Sequence, residues 1–284
     1  MAGFIKNIFE FLQFLGRNLF ESLGELYAVA KLVKETLYWT LVAPFIRIGI
    51  RYRSTVKQSV IAGVNSVPIV SMIAILVGII LALQTAYQLK KYGATDLVAD
   101  LVAISITREL GPLMAAIIIA GQVGAANAAE IGSMKNNEEI DALELLALNP
   151  VHFLVVPKIL ALWIMMPCLA MIADLAGIAG GYIVGVFHLG IPSARYIFRT
   201  TEALYVKDIL AGLMKAEAFA CIIGFVSCYK GLSVEGGAEG VGRNTTSAVV
   251  TAIFCIILTD AIFTAFFNRA DPQIDYILRS LGLM

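Results

Sequence analysis

The sequence predicts an all-α integral membrane protein: an N-terminal amphipathic interfacial helix, five transmembrane helices, and a short cytoplasmic helix between the second and third spans. Three observations predict it. Of the 284 residues, 59% are hydrophobic and 15% charged, against about 25% charged in an ordinary soluble domain. Apolar stretches repeatedly reach the roughly 20 residues needed to cross a bilayer core about 30 Å thick. Apolar residues near the N-terminus recur instead at three- and four-residue steps, the period of one helix face.

At the N-terminus, Phe4, Ile8, Leu12, Leu15, Leu19, Leu23 and Leu26 form one stripe, while Lys6, Glu10, Arg17, Glu21 and Glu25 occupy other faces. Such a helix lies on the cytoplasmic leaflet or packs on protein. Its charges also interrupt any secretory signal core. Residues 36–46 are charge-free but too few to cross, and they contain Pro44, which places them at the interface.

The first span lies in 58–89. The second lies in 110–129, extended upstream through the apolar run 101–106. The third covers 159–187 with Asp174 as its only charge; the fourth covers 209–229 with Lys215 and Glu217; the fifth covers 244–268 with Asp260. Arg47, Arg51, Arg53 and Lys57 precede the first span, with no acid between Glu35 and Asp96, so the N-terminus is cytoplasmic by the positive-inside rule. Five spans then put the C-terminus outside. The division expected is 1–57 cytoplasmic and interfacial, 58–268 a five-span domain, and 269–284 an outer tail.

Two ladders of small residues at four-residue spacing mark packing faces. Ala116, Ala120, Gly124, Ala128 and Gly132 line the second span, and Ala173, Gly177, Gly181 and Gly185 the third. Each ladder packs within a protomer or between two, and a homodimer is expected to use one of them.

Ionisable residues at membrane depth are costly and mark pathways, pairs or cavities. Arg108 and Glu109 sit between two apolar runs and just before Gly111-Pro112; Pro112 has no N–H for the Arg108 carbonyl, so a bend is expected beside the charges. Lys215 and Asp260 are the candidate partners of Glu109, either as plain structural pairs or as part of a substrate path. Glu217, two residues from Lys215, points to another side of its helix. Between the second and third spans, 130–150 carries Glu130, Glu138, Glu139, Asp141 and Glu144 against Lys135, with Ile140, Leu143, Leu146 and Ala147 at helical steps. This reads as an acidic amphipathic helix closed by Asn149-Pro150, whose apolar stripe suits a protein groove.

Several functions are excluded. Lys plus Arg and Asp plus Glu both total 21, so no basic field draws nucleic acid. His152 and His188 lack ligand spacing, and Cys168, Cys221, Cys228 and Cys255 show no paired pattern, so neither metal nor other cofactor is expected. The glycine run around 236–242 is not a phosphate loop, and no GxxxxGK[ST] occurs, so the chain is not expected to hydrolyse ATP.

The stretch RELGPLMAAIIIAGQVGAANAAEIGSMKNNEEIDALELLALNPVHFLVVPKILA at 108–161 resembles the signature region of the MlaE family of ABC-transporter permeases. QTAYQLKKYGA (84–94), GLMKAEAFA (212–220), GGAEGVGRNTT (236–246) and DAIFTAFF (260–267) resemble it too. The resemblance implies a homodimeric permease of the bacterial inner membrane. It would move phospholipid or a related lipid between that membrane and periplasmic MCE-domain proteins, driven by a separate ATPase, with a small cytoplasmic STAS-type subunit as a further candidate partner. It also implies that Gln84, Arg108, Glu109, Lys215 and Asp260 belong to the lipid path or polar cluster. On the same basis Glu130, Met134, Glu138, Glu139, Asp141 and Leu143 belong to a coupling helix docked on the ATPase. Gln122, Glu139 and Glu217 depart from the family pattern. Two other readings stand beside it. An ion-coupled secondary transporter would use Glu109, Lys215 and Asp260 as a relay, but no repeat of the RELGP segment is present. An intramembrane enzyme would need a nucleophile and base at workable spacing, and Ser105 and Ser227 have no histidine near them in sequence.

Overall fold

A computed structural model describes residues 24, 27–40, 42 and 51–269. The N-terminal stripe at 4–26, apart from Gly24, and the tail at 270–284 lie outside these residues. The described chain is helical throughout: α1 at 27–40, α2 Tyr52–Lys90, α3 Leu97–Asn136, α4 Glu139–Leu145, α5 Val151–Phe187, α6 Ser193–Ala203, α7 Val206–Leu232 and α8 Gly237–Arg269. Helices α2, α3, α5, α7 and α8 are long and apolar enough to cross a membrane. Five such helices make this a multi-spanning helical bundle.

Prolines shape these helices without ending them. Pro112 and Pro157 each follow a π-helical turn, at Ile106–Leu110 and Val151–Val155. A proline ring clashes with the carbonyl four residues back, and the wider turn relieves the clash, with the Gly111 N–H reaching the Ile106 carbonyl. The bend expected at Pro112 is thus a local widening inside a continuous α3. In α2, Gly63 and a 3₁₀ turn at Val64–Ser66 interrupt the helix, which restarts with Pro68 in its first turn, where a missing N–H costs nothing. Asn149 starts α5: its Oδ1 accepts from the N–H groups of Val151 at 2.9 Å and His152 at 3.2 Å, which satisfies two orphan donors.

Both small-residue ladders turn inward. Those of α3 lie against α7 and α8: a Cβ on Gly124 would stand 3.4 Å from Ile223, and one on Gly132 3.5 Å from Val241. On α5, Ala173 is buried and Gly177 meets Ala74 of α2 and Ile106 of α3, while Gly181 and Gly185 leave room for the ring of Tyr196 from α6. Where α2 crosses α5, a Cβ on Gly78 would overlap the Gly177 carbonyl. Of the two readings open for the ladders, within a protomer or between two, Gly124, Ala128, Gly177 and Gly181 take the first. Packing in lipid rests on close backbone contact, and α3, sitting between α5, α7 and α8, needs small residues on several sides at once.

Large apolar side chains cover the outside, among them Met72, Leu76 and Ile80 on α2 and Val250, Phe254 and Ile262 on α8. In a bilayer this is the solvent-facing surface. Helix α1 rests on protein: Leu32 and Thr36 are buried, and the Trp39 ring lies 4.9 Å from that of His152. Just before α2, the Arg51 guanidinium stacks 3.5 Å over Phe153 at the start of α5.

Candidate functional site: two charged clusters around α3

Helix α3 carries Arg108 and Glu109 in its first π turn. Helix α7 approaches this turn closely because Gly212 has no side chain; a Cβ there would overlap the Thr107 carbonyl. Lys215, three residues on and on the same face, is thereby delivered to Glu109. Its ammonium donates to Glu109 Oε2, lies 2.9 Å from Asp260 Oδ1, and donates to Thr264 Oγ1 at 2.8 Å. Thr264 in turn donates to Glu109 Oε1 at 2.9 Å. The result is a closed ring from α3, α7 and α8, with one cation between two acids.

The Lys215 side chain is 1% exposed and that of Glu109 33%, so the ring opens on the glutamate side. At 1.5 Å per residue it lies about 13–18 Å from the helix ends at the α2–α3 connection. An unpaired charge at such depth costs several kcal/mol; here the ammonium has two hydrogen-bond acceptors, Glu109 and Thr264, and a second carboxylate, Asp260, beside it. Arg108 points elsewhere, 3.7 Å from the buried Asp208 at the start of α7; Asp208 also accepts from the Tyr205 N–H at 3.1 Å.

Of the residues expected here, Glu109, Lys215 and Asp260 come together, Arg108 pairs beside them with Asp208, and Gln84 stands apart, exposed on α2. Thr264 in the ring and Asp208 beside Arg108 were not anticipated. Their signal lay in helical spacing, since Thr264 follows Asp260 by four residues and Asp208 precedes Lys215 by seven. Glu217 sits off the ring, with Oε2 buried and unpartnered among the described residues. Asp174 faces Gly111 of α3 across the helix contact.

A second cluster lies toward the other end of α3. The Lys158 ammonium of α5 donates to Asn127 Oδ1 at 3.0 Å and to Glu130 Oε2 at 2.5 Å. Its side chain is 2% exposed, that of Glu130 52%. Sequence alone placed Lys158 in a connection and not in the bundle; the i, i+3 spacing of Asn127 and Glu130 was the available hint.

Helix α4 follows directly. Glu138 enters it in the left-handed region at φ 59°, and Lys135 ties its start by a 2.8 Å pair to Asp141. Ile140 is buried and Leu143 and Met134 partly buried, packed with Leu32, Ile131, Leu154 and Ile159 of the same chain. Leu143, expected on the partner-facing stripe, is thus partly buried on this seat and partly open. The exposed apolar residues are Leu145 and Leu146, 89% and 70% accessible, beside exposed Glu138, Glu139, Asp141 and Glu144.

The sequence that builds this bundle of five membrane-length helices has known relatives. The family model described as Permease MlaE matches residues 55–266. The chain belongs to the MlaE permease family. A probable ABC transporter permease protein of Rickettsia prowazekii is 38% identical over 248 residues, covering 87% of this chain and 91% of its own length. One of Pyropia yezoensis is 37% identical over 230 residues, covering 81% and 88%. Another, of Synechocystis, is 36% identical over 211 residues, covering 74% and 80%. As an MlaE-family member, this chain is an ABC-transporter permease, a transport component and not the catalytic one.

Proposed function

We propose that this permease moves phospholipid or a related lipid between the bacterial inner membrane and a periplasmic MCE-domain protein, driven by a separate ATPase subunit. The observation that carries the reading is the ring of Glu109, Lys215, Asp260 and Thr264 inside a largely apolar bundle. A lipid needs a path that is polar where the head group passes and apolar for the tails. The partly exposed Glu109 and Arg108 supply the first and the surrounding α3, α7 and α8 faces the second.

In this reading residues 58–268 form the permease domain, with 1–57 on the cytoplasmic side and 269–284 in the periplasm. The ring then lies in the outer half of the membrane, and α4 lies at the cytoplasmic end. Helix α4 is the coupling helix, presenting Glu138, Glu139, Asp141, Leu145 and Leu146 to the ATPase, with Glu130 and Met134 behind it. Two permeases form a homodimer to serve two ATPase subunits. A small STAS-type subunit would join on the same cytoplasmic side.

The test reconstitutes the permease with its ATPase in vesicles and follows a fluorescent phospholipid to an MCE-domain acceptor. Transfer that requires hydrolysable ATP is expected. Lipid-independent proton or sodium flux, with no ATP-dependent transfer, would overturn the proposal in favour of an ion-coupled carrier.

A further inference from the structure

Helix α3 is held by two lysines that come from different helices. Glu109 binds Lys215 of α7, and Glu130 binds Lys158 of α5. The two acids are 21 residues apart, about 30 Å along the helix, and the π turn Ala120–Gly124 lies between them. The clamp at Lys158 is placed in a particular way. Ile131 and Ile159, the residues immediately after Glu130 and Lys158, belong to the apolar seat on which Ile140 and Leu143 of α4 rest. Any displacement of α4 therefore presses on the backbone next to the clamp.

We propose that Lys158 is a positioning residue: clamped by Asn127 and Glu130, it makes α3 and α5 move as one unit beneath α4. Movement imposed there is thereby passed along α3 to the ring at Glu109. The inference rests on the transport reading above. The physical ground is the asymmetry of the pair. Glu130 is half in water and keeps its solvation if the pair opens, so its own attraction is screened. Lys158 has no such alternative. Its ammonium is sealed among α3, α5 and Cys228 of α7, so it holds the α3 partners wherever they go. Remote residues that join two elements in this way set coupling without touching substrate.

The test uses the reconstituted complex with its ATPase and acceptor, and reads assembly, ATP hydrolysis and lipid moved per ATP. Lys158→Met is expected to keep assembly and hydrolysis but to lower lipid per ATP about tenfold, within the range for coupling between distant sites. Lys158→Arg, which keeps the charge, restores most of the ratio. Glu130→Gln, which keeps the shape, lowers it in the same direction and reports even if Lys158→Met does not accumulate. An unchanged ratio in Lys158→Met or Glu130→Gln, or transfer and hydrolysis falling together in both, overturns the proposal and makes the clamp purely structural. If the unaltered complex hydrolyses ATP but moves no lipid, it is the transport reading that fails.

Discussion

Replacing Leu145 and Leu146 together with Asp separates two roles that α4 could serve. Both side chains stand clear of the rest of the chain, at 89% and 70% exposure, so the change should leave the permease itself almost as stable as before. If these leucines enter an ATPase groove, each contributes about 1.5–3 kcal/mol on burial. Losing both removes about 3–6 kcal/mol, a weakening of two to four orders of magnitude, before the cost of desolvating the new carboxylates. Leu143 behaves oppositely. It is half-buried against Ile131, Leu154 and Ile159, so Leu143→Ala should cost the permease about 1–2 kcal/mol of its own stability while leaving the docking face intact. The assay pairs co-purification of the ATPase in mild detergent with the thermal midpoint of the permease. The expected pattern is lost ATPase with an unchanged midpoint for the double variant, and retained ATPase with a lowered midpoint for Leu143→Ala. The reverse pattern would show that the ATPase contacts the inner face of α4 and that the docking surface is misassigned.

Three further outcomes follow from the packing. Lys215→Met should strand Glu109 and Asp260 and cost about 3–5 kcal/mol, read as poor accumulation. Adding Glu109→Gln and Asp260→Asn should restore folding without restoring lipid transfer; restored transfer would reduce the ring to a structural brace. Gly78→Ala drives a methyl into the Gly177 carbonyl and should lose about 1–3 kcal/mol from overpacking, despite a helix-propensity gain of about 1 kcal/mol. A raised thermal midpoint would refute the close α2–α5 crossing. Asn149→Ala leaves the N–H groups of Val151 and His152 without their acceptor and should cost about 1 kcal/mol, measured by the same melt; no change would mean that water caps the helix equally well.

Much of this protein was legible along the chain because the bilayer imposes a one-dimensional rule. A segment either has about 20 apolar residues or it does not, so the five spans and the intramembrane placement of Glu109, Lys215 and Asp260 follow from residue order alone. So does the short helix before Asn149-Pro150, since caps and prolines act within a turn of where they stand. What order could not supply was direction. Gly124 and Gly177 look equally suited to a neighbouring helix of the same chain or of another; only their contacts with Ile223 and with Gly78 and Ile106 put both inside one protomer. The stripe from Ile140 to Ala147 was visible, yet its division into a seated half and an exposed half depends on where α1 and the start of α5 lie. Lys158 looked like a loop residue because its partners stand about 30 positions away in sequence. A helix face records that something packs there, and only the tertiary structure decides what does.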